Sequence, residues 1–230
     1  MKLNEIIFFY INCSCDTEKD NNMKEQWNFD IPLVKFKGIH YLDINYSHLL
    51  EYGFTPENSK IKNQLTNYAV FNSHVELWKN IIDKEIPYAF IFEDDVKIPE
   101  DFFSKLENVL DGDIPEFDIL YFGILRMMAH ETSFPNFHRV LPKKGYNNGL
   151  HAYLITFESA KKLLKLVSET GYLNQIDILL RDYAGQFNLY VYHELLIKQD
   201  VEKFQSTRLN RYVRDDLKAT FDEVNVISKE

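Results

Sequence analysis

Apolar runs broken at intervals by polar stretches divide this chain into alternating strands and helices. Residues 4–12 (NEIIFFYIN) read as a first buried strand, and the polar stretch 13–30 as a loop leading into a helix around 23–27. Residues 31–36 give a second strand, with Gly38 as a turn after it. Residues 43–66 show no period and carry Gly53, Pro56 and several Asn, the signature of a long irregular connection. Thr66 or Asn67 is placed to cap a helix reaching about Lys84, with Phe71, Val75, Trp78, Ile81 and Ile82 as its apolar stripe. Behind Pro87, residues 88–92 form a compact apolar run rich in β-formers, a buried strand. Pro99, Glu100 and Asp101 then open a helix with Phe102, Phe103, Leu106, Val109 and Leu110 facing inward. Strands follow at 117–122, 151–156 and 187–192, with a helix at 159–169 closed by Gly171. Residues 124–149 look irregular, and the last thirty residues read as a charged helix or tail. Strands alternating with helices predict an α/β domain built on a largely parallel sheet.

Composition narrows the class. With 45% hydrophobic residues among 230, the chain can fill one sizeable core, so a single domain is expected. A net charge of −9 excludes the basic footprint that a nucleic-acid surface needs, though not a nucleotide ligand whose charge a metal ion offsets. Cys13 and Cys15 are the two cysteines, too close for good disulfide geometry and without a second pair for zinc, which suits a reducing compartment. The apolar run at 6–11 is too short to span a membrane and has no basic start or cleavage site, so a cytoplasmic location is expected.

The strand at 88–92 runs abruptly into Glu93, Asp94 and Asp95 before Val96. Burying three carboxylates costs several kcal/mol each unless they are paired or bind metal. They therefore belong where the strand leaves its sheet, the place where open α/β sheets bind ligands. If the chain stays extended, Glu93 and Asp95 share one face and Asp94 takes the other. Two oxygen ligands on one face suit a hard divalent ion that bridges phosphates; the alternative is a solvated acidic strand end. Neither glycine-rich phosphate cradle, G-x-G-x-x-G nor G-x-x-x-x-G-K-[ST], is present. A phosphate ligand would then depend on a metal or on cationic side chains.

Four blocks in order resemble glycosyltransferase family 25, the family of bacterial lipo-oligosaccharide galactosyltransferases and of enzymes that galactosylate hydroxylysine in collagen. They are Asn72-Ser73-His74 with Leu77-Trp78; Phe92-Glu93-Asp94-Asp95-Val96; residues 118–123 with Arg126-Met127; and residues 152–155 with 160–164, followed by Ile176-Asp177. Tyr10-Ile11-Asn12 matches the family's first block, whereas residues 13–19 supply no arginine where the family has an arginine-rich turn. Near the C-terminus a family proline is replaced around residues 194–196, although Gln199 fits the pattern.

The resemblance implies a GT-A type fold, with a Rossmann-like nucleotide-sugar half at about 1–122, an acceptor half at 123–205 and a tail at 206–230. It implies transfer of galactose from UDP-galactose with inversion, onto hydroxylysine of a collagen-like protein or a lipo-oligosaccharide sugar. A Mn²⁺ or Mg²⁺ ion on Glu93 and Asp95 would neutralise the departing diphosphate. Asn12, Ser73, His74, Asp94 and Arg126 would contact the donor, and Asp177 would take the acceptor's proton. Each role has a plainer counterpart: Asp177 as a helix N-cap, His74 as a hydrogen-bonded core histidine, Arg126 as cover for a loop. His193 is either a further metal ligand or a surface residue at a strand end. Residues 124–149 are placed to serve as a lid that excludes water. A catalytically silent nucleotide-sugar or glycan-binding module is the alternative function.

Overall fold

The first strand fixes the frame. In this computed structural model, which describes residues 1–44, 59–143, 149–172, 175–204 and 223–228, β1 (Ile6–Cys13) lies parallel between β2 (Leu33–Gly38) and β3 (Tyr88–Glu93). Helix α1 (Thr17–Gln26) connects β1 to β2, and α2 (Ser59–Asp83) precedes β3. A short β4 (Val96–Lys97) and α3 (Phe102–Leu110) follow, then β5 (Ile119–Gly123), β6 (Arg126–His130) and β7 (Phe137–Val140). The remaining elements are β8 (Ala152–Thr156), α4 (Phe157–Thr170), α5 (Ile176–Asp182), β9 (Leu189–Tyr192), β10 (Lys198–Gln199) and β11 (Glu223–Ile227).

Among the described residues one sheet runs in the order β2-β1-β3-β8-β5-β9-β7-β6-β11. Its β2-β1-β3 end is parallel, β8 lies antiparallel between β3 and β5, and β5 and β9 are again parallel. The expected α/β class is present. Because β8 comes from the second half of the chain yet sits against β3, the two halves share one sheet. No helix among the described residues is long and apolar enough to cross a membrane.

Period-2 alternation assigns the core. Phe9, Ala89, Ile91, Tyr153 and Ile155 face a layer formed by α2 and α4, where Phe71, Val75, Trp78, Ile81, Ala160 and Leu163 are buried. Their neighbours Phe8, Tyr10, Phe90, Phe92 and Leu154 face the other side, against Phe102, Leu106 and Trp27. Phe8, Phe90 and Phe102 make offset and edge contacts with ring centroids 5.4–6.3 Å apart, geometries that aromatic quadrupoles favour. Helix α4 starts where Thr156 accepts the Ser159 amide at 3.0 Å, an N-cap.

Several expectations change. The helix before β3 begins at Ser59 rather than Thr66 or Asn67, because tertiary packing overrides weak local patterning; residues 45–58 of the expected irregular connection lie outside the described residues. The first helix covers Thr17–Gln26, not only 23–27; its sequence is polar enough to hide the period. The stretch read as an irregular lid, 124–149, instead supplies β6 and β7, which join the main sheet. Met127 and Ala129 alternate inward along β6, a pattern obscured by the prolines beyond it. Within the expected tail, residues 223–227 form β11 beside β6, while 205–222 lie outside the described residues.

Candidate active site

The carboxyl end of β1 begins the site. Tyr10 donates its hydroxyl proton to Asp20 at 2.6 Å, and Lys24 and Lys35 pair with the same carboxylate at 2.7 and 2.9 Å. Those contacts, with the Lys24 bond first, hold Asp20 well below the usual carboxylate range. They also lock α1 against β1 and β2, so the preceding residue, Lys19, is aimed at the sheet's carboxyl edge. Asp16 caps the helix by accepting the Lys19 amide at 3.3 Å.

Lys19 is 8% exposed and its ammonium lies between two acids, 3.1 Å from Asp94 Oδ1 and 3.3 Å from Asp95 Oδ2. Asn12 donates from Nδ2 to Asp94 Oδ2 at 2.7 Å and to the Asp16 carbonyl at 3.0 Å. On the far side β10 pairs with β4, opposing Gln199 to Val96, and Gln199 Nε2 reaches Asp95 Oδ2 at 3.1 Å. The Asp200 amide bonds the Asp95 carbonyl at 2.7 Å. Gln26 anchors β4, giving Nε2 to the Val96 carbonyl and accepting the Ile98 amide at 2.8 Å.

Alternation predicted Glu93 with Asp95 and Asp94 opposite. Instead Asp94 and Asp95 converge on Lys19, because the extended backbone stops at Glu93 and both aspartates lie in a tight turn before β4. Burial pushes the Asp94 carboxyl up to about 6; Lys19 opposes the shift and the Asp95 charge reinforces it. For Lys19 burial pulls the ammonium down, but Asp95 and Asp94 outweigh it and the net shift is upward.

Two polar atoms are left over. Asp95 Oδ1 and Asn12 Oδ1 are buried with no hydrogen-bond partner among the described residues. A buried, unsatisfied carboxylate oxygen is costly unless a cation meets it, so Asp95 fits the divalent ion that the acidic strand end suggests.

Glu93 turns to a second cluster. His74, 1% exposed, lies with Nε2 3.8 Å from Glu93 Oε1 and Nδ1 2.9 Å from the Tyr153 hydroxyl. Trp78 Nε1 donates to the same hydroxyl at 3.0 Å. An indole N–H only donates, so the Tyr153 hydroxyl accepts from Trp78 and keeps its own proton available to His74 Nδ1. His74 is therefore at once a core residue and a neighbour of the acidic strand end.

Asp177 stands in the first turn of α5, where Gln175 takes the N-cap position, so it is not the cap. Its carboxylate accepts the Ile178 amide at 2.9 Å and the Gly149 amide at 3.0 Å. Gly149 has φ +86, a left-handed conformation that glycine adopts without strain. The contact ties Asp177 to the lead-in of β8, where the His151 carbonyl accepts the Glu93 amide at 3.0 Å. Gly123 sits in the same corner; a Cβ there would lie 2.7 Å from His151 Cδ2 and 2.9 Å from the Ile197 carbonyl. Only glycine lets β5 end so close to its neighbours.

Other expected site residues lie elsewhere. Ser73 donates to the Ala69 carbonyl at 2.7 Å and accepts the Ile39 amide at 2.8 Å, tying the exit of β2 to α2. Arg126 opens β6 and is half-buried opposite Glu223 in register. His193 is exposed and bonded to Asn136 beyond β9. Lys19 is a site residue that the sequence pattern alone does not mark. Its signal was a cation in the first helix after a strand end carrying Asn12, disguised because the expected arginine was absent.

The geometry meets its relatives here. A model of glycosyltransferase family 25 (LPS biosynthesis protein) matches residues 6–180, which include Asn12, Lys19, His74, the three acids and Asp177. The chain belongs to glycosyltransferase family 25. Human procollagen galactosyltransferase 2 is 28% identical to it over 147 residues, 62% of this chain. Procollagen galactosyltransferase 1-A of Xenopus laevis is 32% identical over 99 residues, 41% of this chain. A bovine protein named probable inactive glycosyltransferase 25 family member 3 is 27% identical over 97 residues, also 41% of this chain. This family 25 chain spans 23% of the human relative's length and 16% of the other two. Among solved structures, a glycosyltransferase involved in glycosylation of the major capsid of PBCV-1 aligns with a TM-score of 0.48 and 9% identity, covering 88% of this chain and 96% of that one.

Proposed function

We propose that this chain is a galactosyltransferase of the GT-A type that uses UDP-galactose, with inversion, on an acceptor hydroxyl. The observation that carries the reading is the pair Asp94–Asp95 at the carboxyl end of β3, held by Lys19 and Asn12 with Asp95 Oδ1 left open. Asp95 through that oxygen would hold Mn²⁺ or Mg²⁺, whereas Glu93 faces His74 and is not placed to share the ion. Such an ion, when bound, supplies Lewis-acid neutralisation of the diphosphate. Lys19 supplies a second positive charge at the same edge and takes the place of the missing arginine. Asn12 Oδ1 is available to a donor hydroxyl, and Asp94 to the sugar or ribose. His74, beside Glu93, and Ser73, through its hold on the β2 exit, would support the donor side.

Asp177 is the proposed base, held in one orientation by the Gly149 and Ile178 amides. Taking the acceptor's proton on the side opposite the leaving group gives inversion. Hydroxylysine in a collagen-like chain is the favoured acceptor, supported by the names of the vertebrate relatives; a lipo-oligosaccharide sugar is the other. The test is transfer of labelled galactose from UDP-galactose to a hydroxylysine-bearing collagen-like peptide and to a galactose-accepting oligosaccharide. Label on either supports the reading; label on neither, with UDP still bound, favours a silent nucleotide-sugar binder. The bovine relative named probable inactive keeps that second reading in view.

A further inference from the structure

We propose that Cys13, Cys15 and His40 form a binding site for a thiophilic divalent ion, Zn²⁺, separate from the acidic strand end. One ligand atom from each of the three residues lies within 4.8 Å of the other two. Sequence spacing shows the cysteine pair but not its partner. The parallel register of β1 and β2 sets Cys13 opposite Gly38, and the chain leaving β2 carries His40 to the thiols.

The three ligands stand on anchored backbone. The Asp16 amide bonds the Cys13 carbonyl at 2.9 Å, a turn that folds Cys15 back until the two sulfurs are 2.7 Å apart. Ser73 holds the Ile39 amide at 2.8 Å, and the Asp43 amide bonds the His40 carbonyl at 2.9 Å. In a tetrahedral zinc site the bond lengths put ligand atoms about 3.6–3.8 Å apart. The sulfurs must therefore separate by about 1 Å on binding, which rotation about the two Cα–Cβ bonds provides.

Ligand chemistry selects the ion. Two thiolates and an imidazole suit Zn²⁺ and disfavour Mg²⁺ and Mn²⁺, which the carboxylates around Lys19 would take. Zinc takes cysteine as the thiolate, so binding releases thiol protons to solvent. Cys15 is exposed and Cys13 half-buried, so an ion reaches the site from solvent, and three protein ligands leave a fourth position for water. Cys13 follows Asn12 directly, so a bound ion would brace the turn leading to Asp16 and Lys19.

The test uses the reduced protein and Co²⁺ as a spectroscopic probe. One equivalent should give a thiolate-to-cobalt charge-transfer band in the near ultraviolet, displaced by stoichiometric Zn²⁺. Cys13→Ser and Cys15→Ser should each abolish the band, His40→Ala should weaken binding, and Asp95→Asn should leave the band unchanged. Zinc should also protect both wild-type thiols from alkylation, a readout that needs no variant to fold. Absence of a charge-transfer band in the reduced protein would overturn the proposal, as would a band that survives Cys13→Ser or disappears with Asp95→Asn.

Discussion

Replacing Lys19 with methionine probes the charge balance on which the acidic strand end depends. The apolar stem is kept and the ammonium removed, leaving Asp94 and Asp95 with 15% and 12% of their side-chain surface exposed and without their shared cation. At an effective dielectric of about 20, each contact near 3.2 Å contributes about 5 kcal/mol of attraction, much of it offset by desolvation of the ammonium. Stripping one partner from such a buried group costs about 3–5 kcal/mol net. For a chain of this size that lowers Tm by roughly 6–20 °C. The deficit should also depend on pH. Without Lys19 the buried Asp94 carboxyl holds a proton in the folded state that it releases on unfolding, so the variant gains stability as pH falls from 8 towards 5. Urea denaturation of both proteins at pH 8 and pH 6, with and without Mn²⁺, measures this. Manganese should restore more stability to Lys19→Met than it adds to the wild type. A deficit under about 1 kcal/mol that is independent of both pH and manganese would refute the paired-cation reading.

Other perturbations separate the remaining parts. In the wild type, Asp94 is raised to about 6 against about 4 unfolded, so it opposes folding above pH 6 by up to about 3 kcal/mol and the penalty fades as pH falls through 6. Asp94→Asn should therefore flatten the stability profile between pH 4 and 7 in equilibrium denaturation. Tyr153→Phe leaves the Trp78 indole N–H without its acceptor and should cost about 1–3 kcal/mol by denaturant titration. Phe90→Ala, in the middle of the aromatic layer, should cost about 3–5 kcal/mol by the same assay. Asp177→Asn should slow galactose transfer by about 10²–10⁴-fold while calorimetry shows UDP affinity unchanged, since the proposed base acts on the acceptor.

The strands and the acidic strand end were legible because a buried strand declares itself by composition. Residues 88–92 are apolar throughout, and three carboxylates cannot follow them into a core. What followed was not legible, because alternation holds only while the backbone is extended. The turn at Asp94 and Asp95 broke it, and both acids met a lysine distant in sequence. Lys19 lies on a helix too polar to show a stripe, so its place was set by the Asp20 contacts, which are tertiary. His40 meets the cysteines only through the pairing of β1 with β2. Strands β6 and β7 were hidden by flanking prolines and by their short length. The family blocks located His74 and Asp177, yet only geometry showed that one is tied to Tyr153 and the other to Gly149.

The most direct measurement of the central claim is release of UDP by the purified protein from a panel of UDP-sugars, with Mn²⁺, with Mg²⁺ and with EDTA. Release is expected from UDP-galactose above the other sugars, dependent on the added ion and lost in Asp95→Ala while its fold persists. Equal release from Asp95→Ala, or neither release nor UDP binding by the wild type, would contradict it.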